Sequence, residues 1–252
     1  MSRHTVAIIQ SSYIPWKGYF DIIHDVDEFI FLDDVQYTVR DWRTRNRIKT
    51  ANGSIWLTVP AGSDRSRLIC DVTLEDSSWQ EKHWKSIAHN YGRAPYFRQY
   101  ADFFAELYRN HTWTNLSQMN RHMIERISRE LLGIQTVFTD SRAYASQGAK
   151  QAKIMDLLRL SHADCYLSGP TASCYLDEAK FKELGITLTL KDYSGYPEYG
   201  QLYPPFEHAI SIIDLIFNAG PHAADYIWGW RSGSKTPTPL AKSSASDGTP
   251  HA

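Results

Sequence analysis

The chain has 252 residues, with 27 Lys+Arg against 28 Asp+Glu for a net charge of −1, which excludes a polycationic nucleic-acid coat and confines any RNA contact to a local patch. That length suits one α/β domain with a sizeable core, or one domain with a helical insertion, and not two full domains. Cys70, Cys165 and Cys174 form no CxxC pair, which argues against a disulfide framework or a dedicated zinc site and for a reduced, cytoplasmic setting.

Thr5 to Ile9 is a short apolar strand pattern, followed by the turn-rich QSSYIPWKG and a helical pattern from Tyr19 to Val26. Glu28 to Leu32 (EFIFL) is the next strand. This order begins a βαβ unit, and ligands of such units bind at the carboxyl ends of the parallel strands, where Gln10 and the pair Asp33-Asp34 fall. Arg40, Arg43, Arg45, Arg47 and Lys49 follow, with Trp42 and Asn46 interleaved, in what reads as a basic connector. Ser54 to Val59 and Ile69 to Leu74 read as an edge hairpin separated by the turn-rich Gly62 to Ser66.

A helical block comes next. Ser77 and Ser78, with Gln80 and Glu81 three residues on, predict a capping box for a helix to Tyr91. Further helices are expected over about 95–110 and 115–132, the latter closed by Gly133, with Met119 and Met123 on its apolar face. The βα alternation then returns: strands at 135–138, 164–167 and 186–190 alternate with helices at 148–160 and 176–184. Over 207–218 the helical pattern is apolar nearly all round, broken only by the stripe Ser211, Asp214 and Asn218, which either serves local backbone or faces a pocket. From Arg231 the low-complexity sequence predicts a disordered tail. The fold class is therefore α/β, a Rossmann-like, mostly parallel sheet in one domain over 1–230, with a helical insertion at roughly 77–133 and a tail over 231–252. No window approaches the roughly 20 apolar residues that span a bilayer, and no membrane insertion is expected.

The candidate chemistry sits in the first loop and the basic connector. Asp33 or Asp34 could act as a general base or hold Mg²⁺; strand alternation turns only one of them into a site. Forked guanidinium groups at Arg43, Arg45 and Arg47 suit phosphate or carboxylate, Lys49 adds a point charge, and Trp42 offers a stacking face. Gln10, Tyr13, Trp16, Lys17 and Tyr19, with Gln36, Tyr37, Asn46, Ser168 and Asp214, complete the candidate substrate-binding set. Gln10, Asp33, Arg43, Arg45 and Asn46 are expected to share one cleft. His24 and His89 read as structural or surface residues, and Cys174 as a small buried hydrophobe rather than a nucleophile. No metal site is indicated, and the residues name no cofactor.

The segments IIQSSYIPWKGYFDII (8–23), FLDDVQYTVRDWRTRNRIKT (31–50), WLTVP (56–60), YLSGP (166–170) and SIIDLIFNAG (211–220) resemble those of the WbqC-like protein family. The resemblance implies a setting in O-antigen and other surface-polysaccharide gene clusters, with a glycine-transfer role. The chain departs from the family pattern at Gln10-Ser11-Ser12, where proline usually follows the glutamine, and at Cys174. A second, fold-level resemblance is to nucleotidyltransferase-like Rossmannoid domains. These carry HxGH where this chain has Trp16-Lys17-Gly18-Tyr19, so adenylyl transfer does not carry over. The expectation is a transferase moving an acyl or aminoacyl group, glycyl included, from a phosphorylated or carboxylated small-molecule donor to a glycan hydroxyl or an amine. A charged tRNA is among the donors considered. The alternatives are an ATP-dependent ligase or nucleotidyltransferase-like enzyme, and a non-catalytic module that binds a nucleotide sugar.

Overall fold

The computed structural model describes residues 3–174 and 176–231; the side chain of Cys174 and the expected tail over 232–252 lie outside the described residues. Five strands form one parallel sheet: β1 (Thr5–Ile9), β2 (Glu28–Phe31), β5 (Val137–Asp140), β6 (Cys165–Ser168) and β7 (Thr187–Leu190), in the order β5-β2-β1-β6-β7. A separate antiparallel hairpin pairs β3 (Arg45–Thr50) with β4 (Gly53–Thr58). The central strands β1, β2 and β6 are buried on both faces, and strand alternation feeds two cores. Ala7, Phe29 and Phe31 point into the larger core, while Val6, Ile8 and Ile30 point into the smaller one.

The larger core is closed by α1 (Lys17–His24), the hairpin, the helical insertion and α7 (Ile212–Ala219). The insertion comprises α2 (Ser78–Tyr91), α3 (Phe97–Arg109) and α4 (Leu116–Arg126), the last continuing as a π-helical turn over Ile127–Leu131. Met119 and Met123 are fully buried there, as their spacing requires. The smaller core is covered by α5 (Gln151–Leu160) and α6 (Glu178–Glu183). From β1 the chain steps to β2 on one side, whereas β6 pairs on the other side of β1, so the topological switch point lies between β1 and β6.

Four expectations need correction. The basic connector is not a loop: Arg45–Thr50 is itself a strand, and Ala51-Asn52 before Gly53 (φ +100°) makes the tight turn to β4. Residues Ile69–Asp71 form a 3₁₀ turn instead of its partner strand. The capping box is also absent. Asp76 accepts the Ser78 N–H at 2.7 Å, while Gln80 donates to the carbonyls of Tyr108 and His111, and Glu81 pairs with Arg109. Those side chains satisfy the end of α3 in place of the start of α2. Arg231, assigned to the tail by composition, belongs to the fold, since its guanidinium is held by Asp21 and Asp25.

Two buried polar anchors set the geometry. Asp33 is 1% exposed, and its carboxyl group accepts the Ser11 N–H at 2.8 Å and the Ser117 hydroxyl of α4. Asp33→Ala orphans both donors and should cost about 2–4 kcal/mol in urea unfolding. The Tyr13 hydroxyl meets His83 Nδ1 at 2.8 Å and the Tyr108 hydroxyl at 2.6 Å, and burial lowers the His83 pKa from 6.5 to about 4. Between those pH values the unfolded chain binds a proton that the native state excludes. Stability should therefore fall by on the order of 3 kcal/mol as pH drops from 6.5 to 4, and His83→Gln should flatten that dependence in thermal melts at a series of pH values.

Candidate functional site

The segment between β1 and α1, Gln10–Trp16, has no regular secondary structure, yet Ser11 to Pro15 are buried. Its backbone groups therefore need partners from elsewhere. The Tyr13 N–H donates to the Trp42 carbonyl at 2.9 Å, and Asn46 Nδ2 donates to the carbonyls of Tyr13 and Ile14 at 3.2 and 2.9 Å. The Ser211 hydroxyl donates to the Ile14 carbonyl at 2.8 Å, and the Tyr19 hydroxyl to that of Gln10 at 2.9 Å. Ile14 has φ +36°, an unusual conformation for a β-branched residue, and these contacts to its carbonyl hold it there. Gly18 is equally constrained: a Cβ at that position would lie 2.3 Å from the Trp16 ring, so only glycine lets the indole fold over the start of α1.

The loop forms one wall of a cleft of about 520 Å³ at the switch point, a volume typical of small-molecule sites. The opposite wall is Ser168–Ala172, after β6, and aromatic faces come from Trp16, Tyr19, Trp42 and Tyr193. Arg43 enters from the hairpin side. Its Nη2 donates to Gln10 Oε1 at 3.2 Å and its Nη1 contacts Asp41 at 3.3 Å, while its buried Nε has no partner. Among the described lining residues Arg43 carries the one formal charge, and its Nη1 is shared with Asp41 outside the lining. Burial raises the Tyr19 and Tyr193 pKa values well above the ordinary phenol value, leaving both as hydrogen-bond donors.

Of the residues singled out by sequence, Gln10, Trp16, Tyr19, Trp42, Arg43, Asn46 and Ser168 line this cleft. Others do not. Asp33 sits beneath the loop, and Asp34 accepts from Lys153 and the Ser141 hydroxyl, each at 2.6 Å. Arg45 turns to the outer face of the hairpin, its guanidinium 4.2 Å from the Trp56 ring centroid. Tyr13 is buried against His83. Gln36 and Tyr37 bond to the backbone of Arg65 and Gly62. Lys49 Nζ reaches Gln201 and the Pro205 carbonyl. Lys17 packs over the Tyr196 ring at 4.8 Å and donates to the Pro197 carbonyl, and burial lowers its pKa to about 8 against the attraction of Asp21. Asp214 is fully buried between the hydroxyls of Tyr91 and Tyr199, at 2.9 and 2.8 Å, so the polar stripe of α7 serves the interior. His24 stacks on Trp228, and His89 is exposed.

Sequence reasoning missed Ser12, Tyr193 and Trp56. Tyr193 lies in an irregular stretch whose only signal is its density of aromatics, and Trp56 sits in a strand pattern where a large ring reads as core. Among the described residues no helix is long and apolar enough to cross a membrane, and no group of three His, Cys, Asp or Glu is arranged to hold a metal ion.

A family model described as the WbqC-like protein family matches residues 10–226. An uncharacterized protein of Mycobacterium tuberculosis, Rv1507c, is 45% identical over 225 residues, covering 88% of this chain and 96% of the relative. No solved structure matches. The match takes in the buried loop, the hairpin, both walls of the cleft and α7, and on that extent the chain belongs to the WbqC-like protein family.

Proposed function

We propose that the cleft is the donor site of an acyl or aminoacyl transferase acting in surface-polysaccharide or specialised-metabolite assembly. The observation that carries this reading is Arg43, held against Gln10 in an aromatic-walled cleft with its Nε–H unpartnered. A guanidinium so placed clamps a phosphate or carboxylate of an activated donor, while Trp16 and Trp42 enclose its apolar or ring portion. Tyr193, kept protonated by burial, donates to the acyl carbonyl oxygen and stabilises the charge that develops there. An amine acceptor enters neutral. Its nitrogen attacks the acyl carbon, the bond from that carbon to the carrier breaks, and the amine proton passes to the departing group. Asp33 shapes the loop in this reading and Asp34 supports the wall near Ile154, because both carboxyl groups already hold internal partners.

That same engagement of Asp33 and Asp34 favours a second reading, a non-catalytic module that binds a nucleotide sugar. The two separate experimentally. Incubating the protein with activated glycyl donors, nucleotide sugars and amine acceptors, followed by mass spectrometry, should yield a new amide or ester; tight binding with no product selects the module.

Arg43→Ala should weaken a phosphate- or carboxylate-bearing donor by about 1.5–3 kcal/mol in calorimetry while moving Tm by less than about 4 °C. Tyr193→Phe should lower kcat by roughly 10²-fold with little change in donor affinity. Early unfolding of Arg43→Ala with binding intact would make Arg43 a structural partner of Asp41 and end the donor-site reading.

A further inference from the structure

The outer face of the hairpin holds a second feature beside the cleft. Trp42 and Trp56 are 46% and 44% exposed, with ring centroids 5.7 Å apart and planes tilted by 42°. Neither ring fills the interior, which the inner face of the hairpin supplies with Ile48 and Leu57. The Arg45 guanidinium stacks 4.2 Å from the Trp56 centroid and makes no ion pair among the described residues, whereas the neighbouring Arg47 is neutralised by Glu207 at 2.6 Å. The shelf is built on paired strands. Trp56 of β4 pairs in register with Arg47 of β3, and β3 is anchored to the rest of the fold by Asn46 and Lys49.

Two half-exposed indoles leave apolar area in water, and the Arg45 guanidinium, stacked on Trp56 and without an ion pair among the described residues, adds positive charge. Flat rings stack on indole, and phosphate seeks guanidinium; a nucleotide presents both in one unit. A neutral sugar would use the rings and leave the charge idle. Continuity supplies the remaining argument, since Trp42 belongs both to the shelf and to the cleft, and Arg43 is the next residue in the chain.

We infer that the Trp42–Trp56–Arg45 shelf is a nucleobase subsite, on which the base of the donor's carrier stacks while its phosphate lies between Arg45 and Arg43. This rests on the reading of the cleft as a donor site and names the carrier's class, a nucleotide, either free or at the end of an RNA.

The test titrates the full chain with AMP, ribose 5-phosphate and the trinucleotide ApApA, read by tryptophan fluorescence and calorimetry. AMP should bind at least about tenfold more tightly than ribose 5-phosphate, the contribution of one stacked base. Trp56→Ala should weaken AMP about 5- to 150-fold and leave ribose 5-phosphate unchanged, and Trp56→Phe should recover most of the loss. ApApA binding much more tightly than AMP identifies an RNA end as the carrier, and equal affinities identify a free nucleotide; both support the subsite. Equal affinity for AMP and ribose 5-phosphate, an AMP affinity indifferent to Trp56→Ala, or no binding of either AMP or ApApA overturns it. Weakening by Trp56→Ala but not by Arg43→Ala retains the base subsite and removes the cleft reading beneath it.

Discussion

The structure depends on one constraint: a loop without secondary structure is buried between β1 and α1, and its backbone polar groups must be satisfied by other parts of the chain. Unpaired, each buried group would cost roughly 1–3 kcal/mol. The partners come from four distant places: Asp33 after β2, the Trp42 carbonyl before β3, Asn46 within β3 and Ser211 at the start of α7. The loop therefore acts as the hub on which sheet, hairpin and final helix are registered. Its Gln10 and Trp16 ends and the hairpin's Arg43 face one space because these hydrogen bonds leave little alternative.

This hub divides the charged residues into two groups. Those drawn inside are paired or bonded, as buried charge must be: Asp33 with Ser11 and Ser117, Asp34 with Lys153, Lys49 with Gln201, and Asp21 with Lys191 at 3.0 Å. Lys191, with Arg231, fastens the stretch after β7 to α1. That stretch brings Tyr193 and Ala209 to the cleft, so the outer covering of the site depends on an ion-pair cluster that ties it to α1. Of the basic residues in this region, Arg43 lines the cleft, while Arg45 lies on the outer face of the hairpin against Trp56.

Much of the α/β organisation was legible because periodicity and strand-end logic are local. The apolar runs of β1 and β2, the methionine face of α4 and Gly133 closing that helix are patterns of near neighbours. The hairpin was hidden because five basic residues within ten positions outweighed the Asn52-Gly53 turn signal. In the fold, Arg45 and Arg47 lie on the solvent face while Asn46 and Ile48 face inward, the ordinary alternation of a half-buried strand. The expected cap of α2 failed for a related reason, as Gln80 and Glu81 are bonded to α3 instead.

By itself the sequence determined the class of fold, the position of the helical insertion, and which two segments, the first loop and the basic stretch, would meet at the strand ends. It could not decide which of their side chains face a ligand. Asp33 and Asp34 have the same chemistry as a catalytic pair, and Trp56 the same hydrophobicity as a core ring. Only tertiary structure assigns the aspartates to buried backbone and side-chain donors and leaves the indole in water, because satisfaction of a buried polar group depends on partners tens to hundreds of residues away. Ser211 closing on Ile14 across 197 residues is such a contact, and no local pattern encodes it.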